Sequence, residues 1–191
     1  LVREHISAGG RGVVLETAMK GQMITIYDHG AHIPLLWTHL IPTTHEGRAV
    51  HNVKNAMFAA AMAFSMGEKL ENIRHGLRTF DTSFFQAPGR MNVFSEHPFK
   101  VIMDYAHNAH AVAVMADLAQ RLDAGRRIVV VAGPGDRRDE DLREIANAVA
   151  VLEEAVGAAV SGEGRPTVLA DGGVENFNGE VDALVGGGLL S

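Results

Sequence analysis

The chain has 191 residues, 47% of them hydrophobic, and a formal net charge of −6. That is enough apolar length to bury a core in one or two domains, and the absence of cysteine excludes disulfides and thiolate metal sites. No apolar run reaches the roughly 18 residues of a membrane helix and no charged-then-apolar leader opens the chain, so the expectation is a cytoplasmic protein with no membrane partner.

Residues 12–18 and 22–27 read as two short β-branched strands joined through Lys20-Gly21, a hairpin pattern. Residues 31–37 offer a third strand, and residues 42–47 read as a loop. The spacing predicts a helix over residues 52–66, where Val53, Ala56, Met57, Ala60, Ala61 and Phe64 recur at three- and four-residue steps. Its alanines favour helix, and Gly67 ends it. A second helix is predicted over residues 70–79, with Leu70, Ile73, Leu77 and Phe80 on one face. Residues 81–89 form a linker that closes on Pro88-Gly89.

From Arg90 the pattern alternates. Strands are predicted over residues 91–96 and 99–103, joined by a turn at His97-Pro98. A helix follows over residues 109–122. Residues 126–132 form an apolar strand of the buried parallel type. A last helix is predicted over residues 140–160, with Leu142, Ile145, Ala146, Val149 and Leu152 inward. This β-α-β-α order predicts a right-handed parallel unit, hence an α/β fold class. The charge is uneven: residues 151–191 hold seven acids, one base and nine of the 21 glycines, while sixteen charges of each sign cancel in residues 1–150. That break marks a boundary near residue 151.

Two strand ends carry the chemistry. Asp104-Tyr105-Ala106-His107-Asn108 closes one strand, and Gly133-Pro134-Gly135-Asp136-Arg137-Arg138-Asp139 closes another. Open α/β sheets bind ligands at such ends, which points to a nucleotide site.

The run His51-Asn52-Val53-Lys54-Asn55-Ala56, with Ala59-Ala60-Ala61, resembles the end of the central ATPase domain of Mur ligases. Gly89-Arg90 and Asp104 to Asn108 resemble the start of their C-terminal domain. A narrower resemblance, to the branch of the family that builds a poly-aspartate backbone bearing arginine, rests on five further pieces. These are His5-Ile6-Ser7-Ala8-Gly9-Gly10-Arg11, Ile41-Pro42-Thr43-Thr44, Ile73-Arg74-His75-Gly76-Leu77-Arg78-Thr79-Phe80, Pro88-Gly89-Arg90-Met91-Asn92 and Gly133 to Glu140. Together they cover roughly residues 3–150. The resemblance implies a Rossmann-like Mur ligase C-terminal domain over residues 89–160, incomplete, preceded over residues 1–88 by the C-terminal portion of the central domain. Residues 161–191 make an atypical acidic, glycine-rich tail. It also implies ATP-dependent amide-bond formation through an acyl phosphate, with ATP and Mg²⁺ in the intact enzyme and arginine and a poly-aspartate-type chain as substrates. The oligomeric state stays open, a homo-oligomer included.

Each candidate residue carries a plainer alternative. The resemblance sets Asn52 against the adenine ring, where an amide donates and accepts at once; the alternative is a helix N-cap. It gives Arg90 a contact to the ATP phosphates, which suits a guanidinium; the alternative is a surface arginine. It sets Asp104 on the ribose hydroxyls, against a cap for the helix starting near Asn108. His107, with Asn108, either faces the nucleotide or holds the loop, and Tyr105 is most simply packing. Ala109 stands where the family usually has proline, which frees the loop backbone. Asp136, Arg137, Arg138 and Asp139 either orient the incoming amino acid or form a charged helix N-terminus that complements the dipole.

No Gly-x-x-x-x-Gly-Lys-Ser/Thr loop occurs in the sequence. Without it there is no cradle for the β- and γ-phosphates. The expectation is a fragment of a longer ligase that does not turn over ATP alone, or a non-catalytic remnant of a truncated or fused gene, or part of another Mur-type ligase. The stretch from Arg165 to Gly179 is similar to the strand around a catalytic aspartate of integrase-type transposases, with Asp171 in the matching place. One matched acid does not build a two-metal nuclease site, and the acidic surroundings argue against nucleic acid as a partner.

Overall fold

A computed structural model describes residues 1–124, 127–132, 138–150, 155–160, 166–170 and 173–176. The chain divides into two compact units, Leu1–Gln86 and Ala87–Ser191.

In the first unit a short helix α1 (Val2–Ser7) precedes three strands, β1 (Gly12–Ala18), β2 (Gly21–Asp28) and β3 (Ala31–Trp37). They form an antiparallel sheet in the order β1-β2-β3. The β2–β3 turn runs through His29 and Gly30, both at positive φ (49° and 87°). That pair matches the twist of a tight two-residue hairpin. Pro34 sits in β3, an edge strand, where a missing N–H is tolerated. The expected loop after β3 is two 3₁₀ turns, Thr38–Leu40 and Pro42–Thr44. Fully buried Thr44 ties them, its hydroxyl within 2.6 Å of the Thr38 carbonyl and 2.8 Å of the Ile41 carbonyl.

Helices α2 (Val50–Ser65) and α3 (Leu70–Thr79) then pack on the sheet. Alternation along β2 sends Ile24 and Ile26 to the helix side, where they meet Leu35, Leu36, Ile41, Ala56, Ala60 and Ile73 in one buried cluster. The small side chains at Ala56 and Ala60 let α2 lie close to the strands. Arg74 fastens α3 to β3, its guanidinium donating to the Leu35 carbonyl at 2.9 Å and to the Pro34 carbonyl at 3.0 Å.

The second unit starts with β4 (Asn92–Phe94) and β5 (Val101–Met103), antiparallel, Asn92 opposite Met103. Both are shorter than the spacing predicts. Phe99 stands outside the pair, half exposed and stacked on His97 at 5.3 Å. Helix α4 (Ala109–Arg121) leads to β6 (Arg127–Ala132), helix α5 (Asp139–Ala150) and strands β7 (Ala155–Val160), β8 (Pro166–Ala170) and β9 (Gly173–Asn176). The sheet order is β6-β7-β8-β9, with β6 and β7 parallel and the rest antiparallel. Val112, Ile145 and Val149 bring α4 and α5 together, with Ala106, Val129 and Val131 against them.

The helix expected over residues 140–160 is corrected here. It ends at Ala150, and residues 155–160 are a strand paired in parallel with β6. Ala155-Val156-Gly157-Ala158-Ala159-Val160 has no polar residue to make an outer helical face, and its glycine weakens a helix. As a strand it completes a β-α-β unit around α5, the unit the alternation predicted.

Candidate functional site

The site is built on the backbone between Ala87 and Asn92 and on the segment that follows β5. Arg90 N–H bonds the Ala87 carbonyl at 3.1 Å, closing a tight turn. Gly89 and Met91 on either side of Arg90 have positive φ, 69° and 49°. Asn92 is 1% exposed, and its side chain spans the turn. Its oxygen accepts from Gly89 N–H at 2.7 Å, and its amide nitrogen donates to the Ala87 carbonyl at 2.8 Å. Asp104, just past β5, accepts from Met91 N–H at 2.9 Å. Tyr105 N–H then donates to the Gly89 carbonyl at 2.8 Å. Arg90 and Asp104, 14 positions apart in sequence, are thereby held in one small structure.

Arg90 is exposed and lies over the Tyr105 ring, 6.0 Å from its centroid, at the reach of a cation–π contact. Tyr105 is 58% exposed, so the packing role read from sequence is corrected: its ring faces solvent, Arg90 and His107. The His107 ring stands 5.4 Å from that of Tyr105, and its Nδ1 is 3.1 Å from the Tyr105 carbonyl. Asn108 is the N-cap of α4; its side-chain oxygen accepts from Ala111 N–H at 2.9 Å. The cap alternative drawn for Asp104 therefore belongs to Asn108, while Asp104 serves the Met91 backbone.

An open cleft of about 460 Å³ is lined by His107, Asn108, Ala109, Arg138, Asp141, Glu144 and Ile145. It sits where α4 and α5 both begin. Arg138 is the residue before α5, and its guanidinium is held in a fork by Asp141, at 3.1 and 2.9 Å. Asp141 also reaches back to Arg138 N–H at 3.4 Å, the carboxylate half of a capping box. The Asp141 carboxylate raises the Arg138 pKa above the ordinary arginine value. Asp139 is exposed at the first position of α5. Asp136 and Arg137 lie outside the described residues, as does Asp171.

Asn52 belongs to the first unit, and the structure rejects its capping alternative. Helix α2 begins two residues earlier, with Ala49 at the cap position. Half-buried within the first turn, Asn52 donates to the Thr43 carbonyl at 2.7 Å and accepts from the Asn55 side chain at 3.1 Å. It ties the 3₁₀ turn to α2.

Sequence reading left three residues of the second unit without a role: Asn92, Asp141 and Glu144. An acid at the third position of a helix that opens on a charged run is a readable signal for Asp141. Nothing local marks Asn92, whose role depends on its burial.

The chemistry of the donor set suits an anion: the guanidiniums of Arg90 and Arg138, the His107 imidazole and the N-terminal turn of α4. It does not suit Mg²⁺ held by protein groups, since among the described residues no three His, Asp or Glu side chains gather as ligands.

Residues 89–178 match the family model described as Mur ligase, glutamate ligase domain, a span that runs past the compositional break near residue 151. The second unit thus carries a Mur ligase C-terminal domain. The chain is a homologue of cyanophycin synthetases: it is 40% identical over 145 residues to that of Trichormus variabilis, covering 74% of this chain and 15% of the relative. With that of Synechocystis sp. it shares 37% over 145 residues, 76% of this chain and 16% of the relative. UDP-N-acetylmuramoylalanine--D-glutamate ligase of Rubrobacter xylanophilus is 36% identical over 95 residues, 50% of this chain and 20% of that protein. The chain therefore spans about a sixth of the length of the cyanophycin synthetases it matches. No described helix is long and apolar enough to cross a membrane.

Proposed function

We propose that this chain is the part of an ATP-dependent acid–amino-acid ligase that grips the nucleotide phosphates and the incoming amino acid. The intact enzyme would add arginine to a poly-aspartate backbone through an acyl phosphate, in the cytoplasm. The observation that carries the reading is the pinned turn that sets Arg90 beside Tyr105 at the end of β5. A guanidinium on an ordered turn loses little freedom when it closes on a phosphate, and it meets two oxygens at once.

The other residues have subordinate roles. Asp104 keeps acceptor capacity beyond its bond to Met91 for ribose hydroxyls. His107 and Asn108 border the phosphate side through the start of α4. Asn52 contributes an amide edge toward adenine. Arg138 and Asp139, with Asp136 and Arg137, orient the amino acid: a guanidinium suits its carboxylate and a carboxylate its ammonium. ATP supplies the activated phosphoryl group when bound, and these residues bind and orient. The family's Mg²⁺ finds no ligand set among the described residues, and no role here runs through it.

Isothermal titration of the chain with ATP tests this. Binding is expected, weakened about tenfold by Arg90→Ala, the size of one charge-assisted contact. ATP hydrolysis is expected to stay at background. Equal affinity of wild type and R90A overturns the reading.

A further inference from the structure

We infer that Asn92 is a positioning residue for the nucleotide site: it holds the Gly89–Met91 turn in the shape that presents Arg90 to a phosphate. The inference rests on the role proposed above for Arg90 and adds the residue through which that role is set.

Asn92 is a polar side chain 1% exposed, so its amide must find partners inside the protein. Both ends are spent on the turn, the oxygen on Gly89 N–H and the nitrogen on the Ala87 carbonyl. The turn needs that support. Met91 has φ 49°, a left-handed conformation unfavourable for a residue with a Cβ. Such strain persists only where the surroundings over-determine it, and it clusters at ligand sites. Here the fixing groups are the Asn92 amide, the Asp104 carboxylate on Met91 N–H and the Met91 side chain, which is 2% exposed. Asn92 also pairs with Met103 across the β4–β5 ladder, which keeps the turn against the end of β5. An amide that only filled the core would not straddle the one residue whose guanidinium points outward.

The test is a double-mutant cycle read by titration with ATP and, separately, with adenosine, which lacks phosphates. Asn92→Ala is expected to weaken ATP binding about as much as Arg90→Ala, about tenfold, and to leave adenosine binding within twofold. The double variant is expected to bind ATP no more weakly than R90A, since Asn92 acts through Arg90. Amide exchange at Gly89, Arg90 and Met91 should accelerate in N92A. Unchanged ATP affinity in N92A, or additive losses in the double variant, overturns the assignment while leaving Arg90 its role. No effect of R90A itself overturns the parent reading instead. Should N92A fail to fold by circular dichroism, Asn92→Ser, whose hydroxyl can still accept from Gly89 N–H, takes its place. Failure of both to fold makes Asn92 a folding residue and also overturns the assignment.

Discussion

Glu16 sits on the face of the first sheet opposite the apolar cluster, since neighbours along a strand point to opposite sides. Thr25 hydroxyl donates to one of its oxygens and Tyr27 hydroxyl to the other, both at 2.7 Å, and His32 Nε2 lies 3.0 Å away. The Thr25 bond first, then the Tyr27 bond, holds the Glu16 carboxyl below its ordinary value of 4.5. A depressed carboxylate pKa stabilises the fold above the unfolded value, and that contribution is lost as pH falls through the folded value. The melting temperature of wild type should therefore exceed that of Glu16→Gln at neutral pH, and the gap should close as pH drops below about 4.5. A gap independent of pH would contradict the role given to the charge. At the turn, Gly89→Ala should cost about 1 kcal/mol from its φ of 69°. The added Cβ would meet the Tyr105 Cβ only at 3.7 Å, so backbone conformation rather than crowding sets the cost. Denaturant melts of G89A check it; a neutral effect would show that the turn relaxes freely. Residue types were legible at this scale, and Arg90, Asp104 and His107 do gather. Their partners were not: Asp104 bonds a backbone N–H 13 positions away, and Asn52 turns out to brace a preceding turn. Such bonds follow from tertiary placement, which periodicity does not encode.

At the scale of elements, hydrophobic spacing served the first unit well. The three strands and both helices fall within a few residues of expectation, because each has a clean two- or 3.6-residue period. It failed at residues 155–160, where a run of small and β-branched residues fits either element until a strand partner is known. Parallel pairing with β6 is a non-local choice. The α2–sheet contact supports a packing prediction. Ala60 is 0% exposed and lies in the cluster with Ile24 and Leu36, so Ala60→Leu should destabilise by about 1–3 kcal/mol through overpacking. Denaturant titration of A60L measures this, and an unchanged midpoint would mean that α2 can move outward to make room.

For the whole molecule, the two units have separate cores, one around Ile24 and Ala60, the other around Val112 and Ile145. Ile24→Ala should therefore cost about 2–5 kcal/mol in the first unit and lower amide-exchange protection in β2 and α2 there. Protection in α4 and α5 should hardly change, since additivity and independence hold for sites without shared partners. Equal loss of protection in both units would instead show that they unfold as one. The change of pattern at Arg90 made two parts legible in the sequence, while the chemistry of the second part became legible only through the family likeness of its strand ends.

The central claim is that the strand-end structure of the second unit holds a nucleotide's phosphates. Its most direct test is an NMR titration of the ¹⁵N-labelled chain with ATP. Amide shifts should concentrate at residues 89–92, 104–111 and 138–145. Binding with no perturbation there, or no binding at all, would contradict it.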